Sequence, residues 1–305
     1  MKISGFSMVK NADSLYYPIK EAIESILPLV DEFVLALGDC KEGDQTLEII
    51  NSIQSDKLKV IHTVWDLEKY PRGMENAHQT DLAKAACTGD WLFYLQADEV
   101  VHEKYLPAIR KRCEELLDDD SVEGLLFQYK HFWGDYDHYH ISHGWYPNEI
   151  RIVRNRPDIH SWESAQSFRR IPGFDGVNYR QQEGTHKLKV APVDAFIYHY
   201  GWVRPPHYMQ NKKKALDTIH KGASNVKELY RKAANEFNYG PLGSLGEFKE
   251  THPAVMQSWI RKFDWREKLN YTSKIEDTGR KLHKHERLKY RILTFLEQNL
   301  LGGRQ

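Results

Sequence analysis

The chain has 305 residues, 41% of them hydrophobic and 12% aromatic, with 43 basic residues balanced by 43 acidic ones. That length and apolar content fill one large domain, or a domain with a substantial appendage, and the zero net charge argues against nucleic-acid binding by bulk electrostatics. Three widely spaced cysteines, Cys40, Cys87 and Cys113, suit neither a zinc site nor a disulfide framework, so a reducing compartment is expected.

Ile3 to Val9 reads as a first strand, and Lys10-Asn11-Ala12-Asp13 as a polar turn. Ile19, Ala22, Ile23, Ile26 and Leu27 recur at helical spacing, which predicts a helix ending near Pro28. Phe33 to Leu37 is a second buried strand, followed by a loop rich in turn formers in which Asp44 is a plausible N-cap for the helix carrying Leu47, Ile50 and Ile53. Leu58 to Val64 is a third strand. A loop through Pro71-Arg72-Gly73 leads into a helix from Met74 to Ala86, and Thr88-Gly89-Asp90 opens the run Trp91 to Leu95. That run is too short to span a membrane and rich enough in large side chains to be a central strand. It switches abruptly to Gln96, Asp98 and Glu99. Carboxylates there serve either as a cap for the next helix or as hard ligands for a divalent metal gripping a diphosphate.

Strands alternating with helices predict a doubly wound, mostly parallel α/β sheet, with ligands at the carboxyl ends of its strands. No GxGxxG follows the first strand and no GxxxxGK[ST] occurs, which sets aside dinucleotide oxidoreductases and P-loop NTPases.

Four marks in order resemble the family 2 glycosyltransferases of the GT-A fold. They are a strand ending Ser7-Met8-Val9-Lys10-Asn11, a strand followed by Asp39 and the Asp44-Gln45-Thr46 loop, a helix closing on Ala86-Cys87-Thr88-Gly89-Asp90-Trp91, and the strand into Gln96-Ala97-Asp98-Glu99. The resemblance covers residues 1–130 and fades afterwards. It departs from the family pattern where Gln96 replaces the first Asp of Asp-x-Asp and where Asp81 stands in place of a frequent Asn. It implies a GT-A-like sheet with helices on both faces, followed by a helical C-terminal region. It further implies that Asp39 and Asp81 contact the nucleotide, that Ser7 and Met8 flank the base, that Gln96 meets a ribose hydroxyl or metal-bound water, and that Asp98 holds Mn²⁺ or Mg²⁺ against the diphosphate.

Beyond the helix with Leu106, Ile109 and Leu116, a strand runs from Glu123 to Trp133. Residues 134–146 then hold a second Asp-x-Asp with Asp137, and the histidines His138, His140 and His143. The histidines offer a zinc set, but no helix or cysteine partner sets their geometry. An aromatic and polar hairpin over the cleft is the better reading, with Asp137, Trp145 and Tyr146 against the acceptor. Glu149 to Arg154 alternates as a half-buried strand, placing Arg151 and Arg154 on opposite faces. Glu163, beside Trp162, is the first choice for a catalytic base and Glu149 the second, an inverting transfer needing a carboxylate to take the acceptor proton. Val193 to Tyr198 is a strand ending in His199, a second metal ligand by the same resemblance, and Arg204 with Lys212-Lys213-Lys214 is basic enough to close over phosphates.

Helices are expected around 207–221, 224–237, 253–262 and 279–301. The last, basic and amphipathic, suits docking on the core or peripheral contact with an anionic membrane. The expected division is residues 1–204 as the glycosyltransferase domain (1–130 nucleotide sugar, 131–204 acceptor and catalysis) and 205–305 as a helical extension. No window approaches roughly 18 apolar residues, and the N-terminus is too polar for a signal peptide. The expectation is a cytoplasmic transferase moving a sugar from a UDP- or GDP-linked donor to a saccharide or lipid-linked acceptor, in bacterial surface glycan assembly by analogy. A sugar-phosphate nucleotidyltransferase lacks its glycine- and lysine-bearing first loop here. A non-catalytic binder is favoured only by Gln96, and a zinc hydrolase only by the histidine loop.

Overall fold

A computed structural model describes residues 1–275 and 279–300. In chain order the first half comprises β1 (Ile3–Val9), α1 (Ile19–Ile26), β2 (Glu32–Leu37), α2 (Thr46–Asn51), β3 (Leu58–His62), α3 (Met74–Ala85), β4 (Trp91–Tyr94), β5 (Glu99–Val101) and α4 (Leu106–Glu115). The second half adds β6 (Gly124–Trp133), β7 (His138–Tyr139), β8 (Asn148–Arg154), β9 (Ile159–Trp162), β10 (Ser167–Arg170), β11 (His186–Lys187), β12 (Val190–Trp202), α5 (Pro206–Lys221), α6 (Ala223–Tyr230), β13 (Gly246–Glu247), α7 (Gln257–Arg261) and α8 (Leu288–Leu300).

The main sheet runs β13-β7-β6-β8-β4-β1-β2-β3, with β12 joined to both β5 and β6. The pairs β4–β1, β1–β2 and β2–β3 are parallel, as α/β crossovers require. β8 then enters antiparallel between β4 and β6. A small sheet, β11-β10-β9, stands apart.

Side chains leave a strand alternately to either face, and here both faces are covered. Phe33, Leu35 and Leu37 of β2, with Trp91 and Phe93 of β4 and the following Leu95, pack into the cluster holding α1, Ile50, Ile109 and Cys113. Val34, Ala36, Leu92 and Tyr94 pack against Ala83 of α3 and against Ile159 and Phe168 of the small sheet. Continuous apolar runs are what such doubly covered strands demand. Each large side chain so buried contributes about 1.5–3 kcal/mol.

Several elements are shorter than their sequence pattern. β3 stops at His62 and α6 at Tyr230. Asp44 accepts from Thr46 N at 3.0 Å while its other oxygen holds Ser14, so it caps α2 from one residue outside the N-cap. The expected strand 149–154 is not half-buried: Ile150 to Arg154 are all buried, because Arg151 pairs with Glu99 and Arg154 donates to the carbonyls of Leu116, Leu117, Asp119 and Val122. The last helix begins at Leu288 rather than 279. Arg280 and Glu286 close a turn ahead of it, where Glu286 also accepts from His283 N. Leu301, the end of that expected helix, lies outside the described residues. Leu288, Ile292 and Phe295 of α8 are exposed, so this stripe does not pack on the core. Among the described residues no helix is long and apolar enough to cross a membrane.

Candidate functional site

β4 delivers Asp98 to the carboxyl edge of the parallel strands, and β12 returns beside it to deliver His199 and Gly201. The Asp98 carboxylate is almost fully buried. Its Oδ2 accepts from Lys212 Nζ at 2.8 Å, and the same ammonium donates to the Gly201 carbonyl at 2.7 Å. Arg204 Nη2 stands 3.9 Å from Oδ2, and His199 Nε2 stands 3.7 Å from Oδ1. Tyr17 lies under both cations, its ring centre 5.0 Å from Lys212 Nζ and 4.9 Å from Arg204 Cζ. Gly201 is obligatory for this approach: a Cβ there would stand 2.4 Å from His199 Nε2 and 2.9 Å from Asp98 Oδ2.

Burial alone would raise the Asp98 carboxyl, but the Lys212 and Arg204 cations hold it well below the usual carboxylate range. Burial, with Arg204 adding to it, draws the Lys212 ammonium down to about 8, still a cation at neutral pH. His199 is pushed down to about 4 by burial, against the pull of Asp98. His131 falls to about 3 through burial and the neighbouring His199. The two imidazoles meet Nδ1 to Nδ1 at 3.0 Å, and His131 Nε2 stands 2.8 Å from the Tyr146 carbonyl. A carbonyl only accepts, so His131 carries its proton on Nε2 and presents a bare Nδ1. His199 therefore donates from Nδ1 and turns its Nε2 lone pair toward Asp98.

The next residue has a different fate. Glu99 accepts from Arg151 Nε and Nη2, both at 2.8 Å, and from the Tyr129 hydroxyl and Gln96 N. Arg151 spends its remaining nitrogen on the carbonyls of Ile150 and Gln166. Both partners are fully buried and satisfied.

Three groups of residues surround the Asp98 cluster. Toward β2, Asp39 accepts from Lys10 Nζ at 2.8 Å and from Trp65 N at 2.9 Å. Nearby, the buried atoms Trp65 Nε1, Glu75 Oε2 and Gln79 Oε1 have no hydrogen-bond partner. Opposite, Glu163 and Ala165 take left-handed backbone (φ 56° and 59°), and Gln96 Nε2 ties that turn to the end of β4 through the Ala165 carbonyl at 2.9 Å. Non-glycine residues pay for such geometry, which clusters at functional sites. Above, α5 bridges the opening. Lys212 reaches Asp98 while His220, about 12 Å along the helix, packs on Gly73 and Ser164. On the far side of His131 lies a cavity of about 290 Å³, lined by Tyr129, His131, His140, Trp145, Tyr146 and Phe196 among others. A larger cavity of about 410 Å³, at Tyr16, Tyr208, Lys262 and Asp264, shares no lining residue with the Asp98 cluster.

The structure sorts the expected residues. Asp98 and His199 meet, and Trp145 and Tyr146 line the aromatic cavity. Asp39 faces Lys10 on the β2 wall, and Met8 is half-buried beside it in sequence and packs into the core. Ser7 gives its hydroxyl to the Leu95 carbonyl. Asp81, expected at the nucleotide, bridges α3 and β9, one oxygen 2.7 Å from His160 Nδ1 and the other accepting from Ser161 N at 2.8 Å. Asp137, expected at the acceptor, is exposed, 3.5 Å from Arg266, and does not line the aromatic cavity. Glu149 turns one oxygen back to Ile150 N, and Glu163 stands 4.0 Å from Arg180 Nη1 with a third of its side chain exposed. The histidine loop is no zinc set: His138 pairs with Asp135, His140 stacks on Trp145, and His143 pairs with Glu297.

The Mn²⁺ or Mg²⁺ site is half-built. Asp98 and His199 supply one oxygen and one nitrogen, but Gln96 is committed to Ala165 and Glu99 to Arg151. Among the described residues no group of three His, Cys, Asp or Glu side chains is arranged to hold a metal ion. Lys212 and Arg204 already set two positive charges against one carboxylate in a nearly dry place, and a divalent ion would add like charge there. These residues do not fit a resident divalent metal.

The sequence offers the Lys212-Lys213-Lys214 run as a whole to the phosphates and does not single out Lys212. A signal was present: it follows buried Met209 by three residues, on the inner face of α5. His131 gave none, standing in β6 alongside Gln128 and Lys130 with nothing local to distinguish it.

No family model matches the chain, and no curated protein matches it. Among solved structures, S. aureus TarS 1–349 in complex with UDP is 16% identical over 77% of this chain and 68% of that one, with a TM-score of 0.40. The same protein in complex with UDP-GlcNAc gives 17%, 77%, 68% and 0.38. Of a longer TarS chain, this one spans only 41%. Glucosyl-3-phosphoglycerate synthase from Mycobacterium tuberculosis, in complex with Mn²⁺, UDP and glucosyl-3-phosphoglycerate, is 19% identical over 44% of this chain and 45% of that one, with a TM-score of 0.29. Overlaps this shallow transfer no activity. The motifs and the site geometry carry the functional reading.

Proposed function

We propose that the protein is a glycosyltransferase that moves a sugar from a nucleoside-diphosphate donor, UDP- or GDP-linked, to a saccharide or lipid-linked acceptor with inversion. One observation carries the reading: at the carboxyl end of the central strand, a buried carboxylate gathers two buried cations whose nitrogens are only partly claimed. An anion of high charge density, such as a diphosphate, complements that cluster.

On this reading the nucleoside lies along the β2 wall, beside Asp39 and among Trp65, Glu75 and Gln79, whose buried atoms without a hydrogen-bond partner suit a base and ribose. The acceptor lies in the aromatic cavity, where Trp145 and Tyr146 present flat faces. The acceptor oxygen bonds to the anomeric carbon as the bond from that carbon to the diphosphate breaks. The electron pair leaves with the diphosphate, and the acceptor proton passes to a carboxylate, for which we name Glu163 first and Glu149 second. Residues 1–130 hold the donor, 131–204 the acceptor, and the helical extension from 205 contributes α5 over the cleft. A cytoplasmic setting in surface glycan assembly suits a nucleotide-sugar donor, with the exposed Leu288, Ile292 and Phe295 of α8 as the surface for peripheral membrane contact.

The test is release of nucleoside diphosphate from a panel of UDP- and GDP-sugars with saccharide acceptors, for the wild type and Glu163→Gln. Transfer by the wild type, falling about a hundredfold or more in the variant with donor binding unchanged, is the expected result. Donor binding without any release would instead make the protein a non-catalytic binder.

A further inference from the structure

We infer that Lys212, with Arg204 behind it, supplies the positive charge for the donor's diphosphate at Asp98, so that the protein binds nucleoside diphosphate without a divalent metal. The inference rests on the donor reading above and names the group that does the electrostatic work within it.

Three observations converge. First, one oxygen of the carboxylate that would grip a metal is taken by a cation: Lys212 Nζ sits 2.8 Å from Asp98 Oδ2 and 2.7 Å from the Gly201 carbonyl, which leaves one ammonium N–H unclaimed, while Oδ1 faces His199. Second, Arg204 is completely buried, yet its Nε and Nη2 have no hydrogen-bond partner, while Nη1 donates to the Leu15 carbonyl at 2.8 Å. Buried donors are almost always paired, so a guanidinium whose Nε and Nη2 make no close hydrogen bond, with Nη2 only 3.9 Å from Asp98 and Tyr17 beneath, has donor capacity for a phosphate oxygen. Third, the other polar groups in reach cannot substitute for a metal's carboxylates: Gln96 is neutral and bound to Ala165, and Glu99 is saturated by Arg151 and Tyr129. Two cations against one anion leave the cluster one charge positive, complementary to phosphate.

Asp98 then acts as a positioning residue. It holds the Lys212 ammonium at the strand end, as Tyr17 holds both cations from below. When the donor's anomeric bond breaks, negative charge grows on the departing phosphate oxygen, and a pre-placed ammonium meets it with no reorganisation. α5 carries Lys212, so the helix that bridges the cleft also brings the charge.

The experiment is a thermal-shift and calorimetric titration of the full chain with UDP, GDP, dTDP and CDP, each in EDTA and each with Mn²⁺. The expected result is that at least one binds in EDTA with an affinity that Mn²⁺ changes less than threefold. Lys212→Met should weaken that binding about tenfold or more, and Lys212→Arg should recover most of it. Because Lys212→Met leaves Asp98 buried without its partner, the double variant Asp98→Asn/Lys212→Met serves where the single one does not fold. Binding that needs Mn²⁺ in the wild type would overturn the inference and leave the donor reading standing. No binding of any of the four, with or without Mn²⁺, would overturn both.

Discussion

Asp98 and Glu99 are neighbours in the chain, equally buried, and each meets an arginine, yet the two regions are built to opposite ends. Around Glu99 every donor is claimed: Arg151 is bidentate, its last nitrogen finds two carbonyls, and Tyr129 completes the carboxylate. Around Asp98 the donors outnumber the acceptors, and Arg204 Nε and Nη2 make no close hydrogen bond. A saturated buried pair holds the fold. An unsaturated one waits for a ligand. The difference shows how a site is recognised: by the polar groups a fold leaves unpaired, since burial and charge alone do not separate these two residues.

The comparison breaks first on stability. Arg151→Met should cost about 3–5 kcal/mol in urea denaturation, because it strands Glu99 uncompensated in the core. Arg204→Met should cost about 1 kcal/mol or less, since Lys212 still answers Asp98 and the methionine fills the space. Equal costs would erase the distinction.

Acid offers the next contrast. His199 and His285, both down to about 4, and His131, down to about 3, stay neutral in the fold while the unfolded chain takes up protons below about pH 6.5. Their folded values are depressed, so the unfolded state binds more protons between about pH 6.5 and 4. Stability must therefore fall with pH there, by up to about 1.4 kcal/mol per unit for each histidine. Denaturation at pH 7 and pH 5 measures it, and a flat profile would contradict the buried, neutral assignment of the His131–His199 pair.

A smaller effect separates donor from acceptor. Trp145→Ala should raise acceptor KM about tenfold, in line with the loss of a stacked aromatic face, and leave nucleoside diphosphate binding unchanged. The smallest belongs to Asp137→Asn. With its carboxylate exposed at 3.5 Å from Arg266, this variant should move stability by no more than about 0.5 kcal/mol and leave transfer intact.

Much of this was legible in the residues. The uninterrupted apolar runs at 33–37 and 91–95 announced doubly covered parallel strands, and the abrupt polar switch at Gln96 marked the carboxyl edge where Asp98 stands. What stayed hidden depends on partners far along the chain. Arg151 and Arg154 read as opposite faces of a half-buried strand because only the fold supplies Glu99 and the carbonyls after α4. Asp81 read as a ligand contact because nothing local shows His160 arriving to claim it. Lys212 was masked by the two lysines that follow it, although its register behind Met209 put it on the buried face.

The most direct measurement of the central claim is a calorimetric comparison of each nucleoside diphosphate with its monophosphate, on the wild-type chain at neutral pH. If the Asp98–Lys212–Arg204 cluster receives the second phosphate, the diphosphate of the preferred base binds about tenfold or more tightly than the monophosphate. Equal affinities for the two, or no binding of either, would contradict the account.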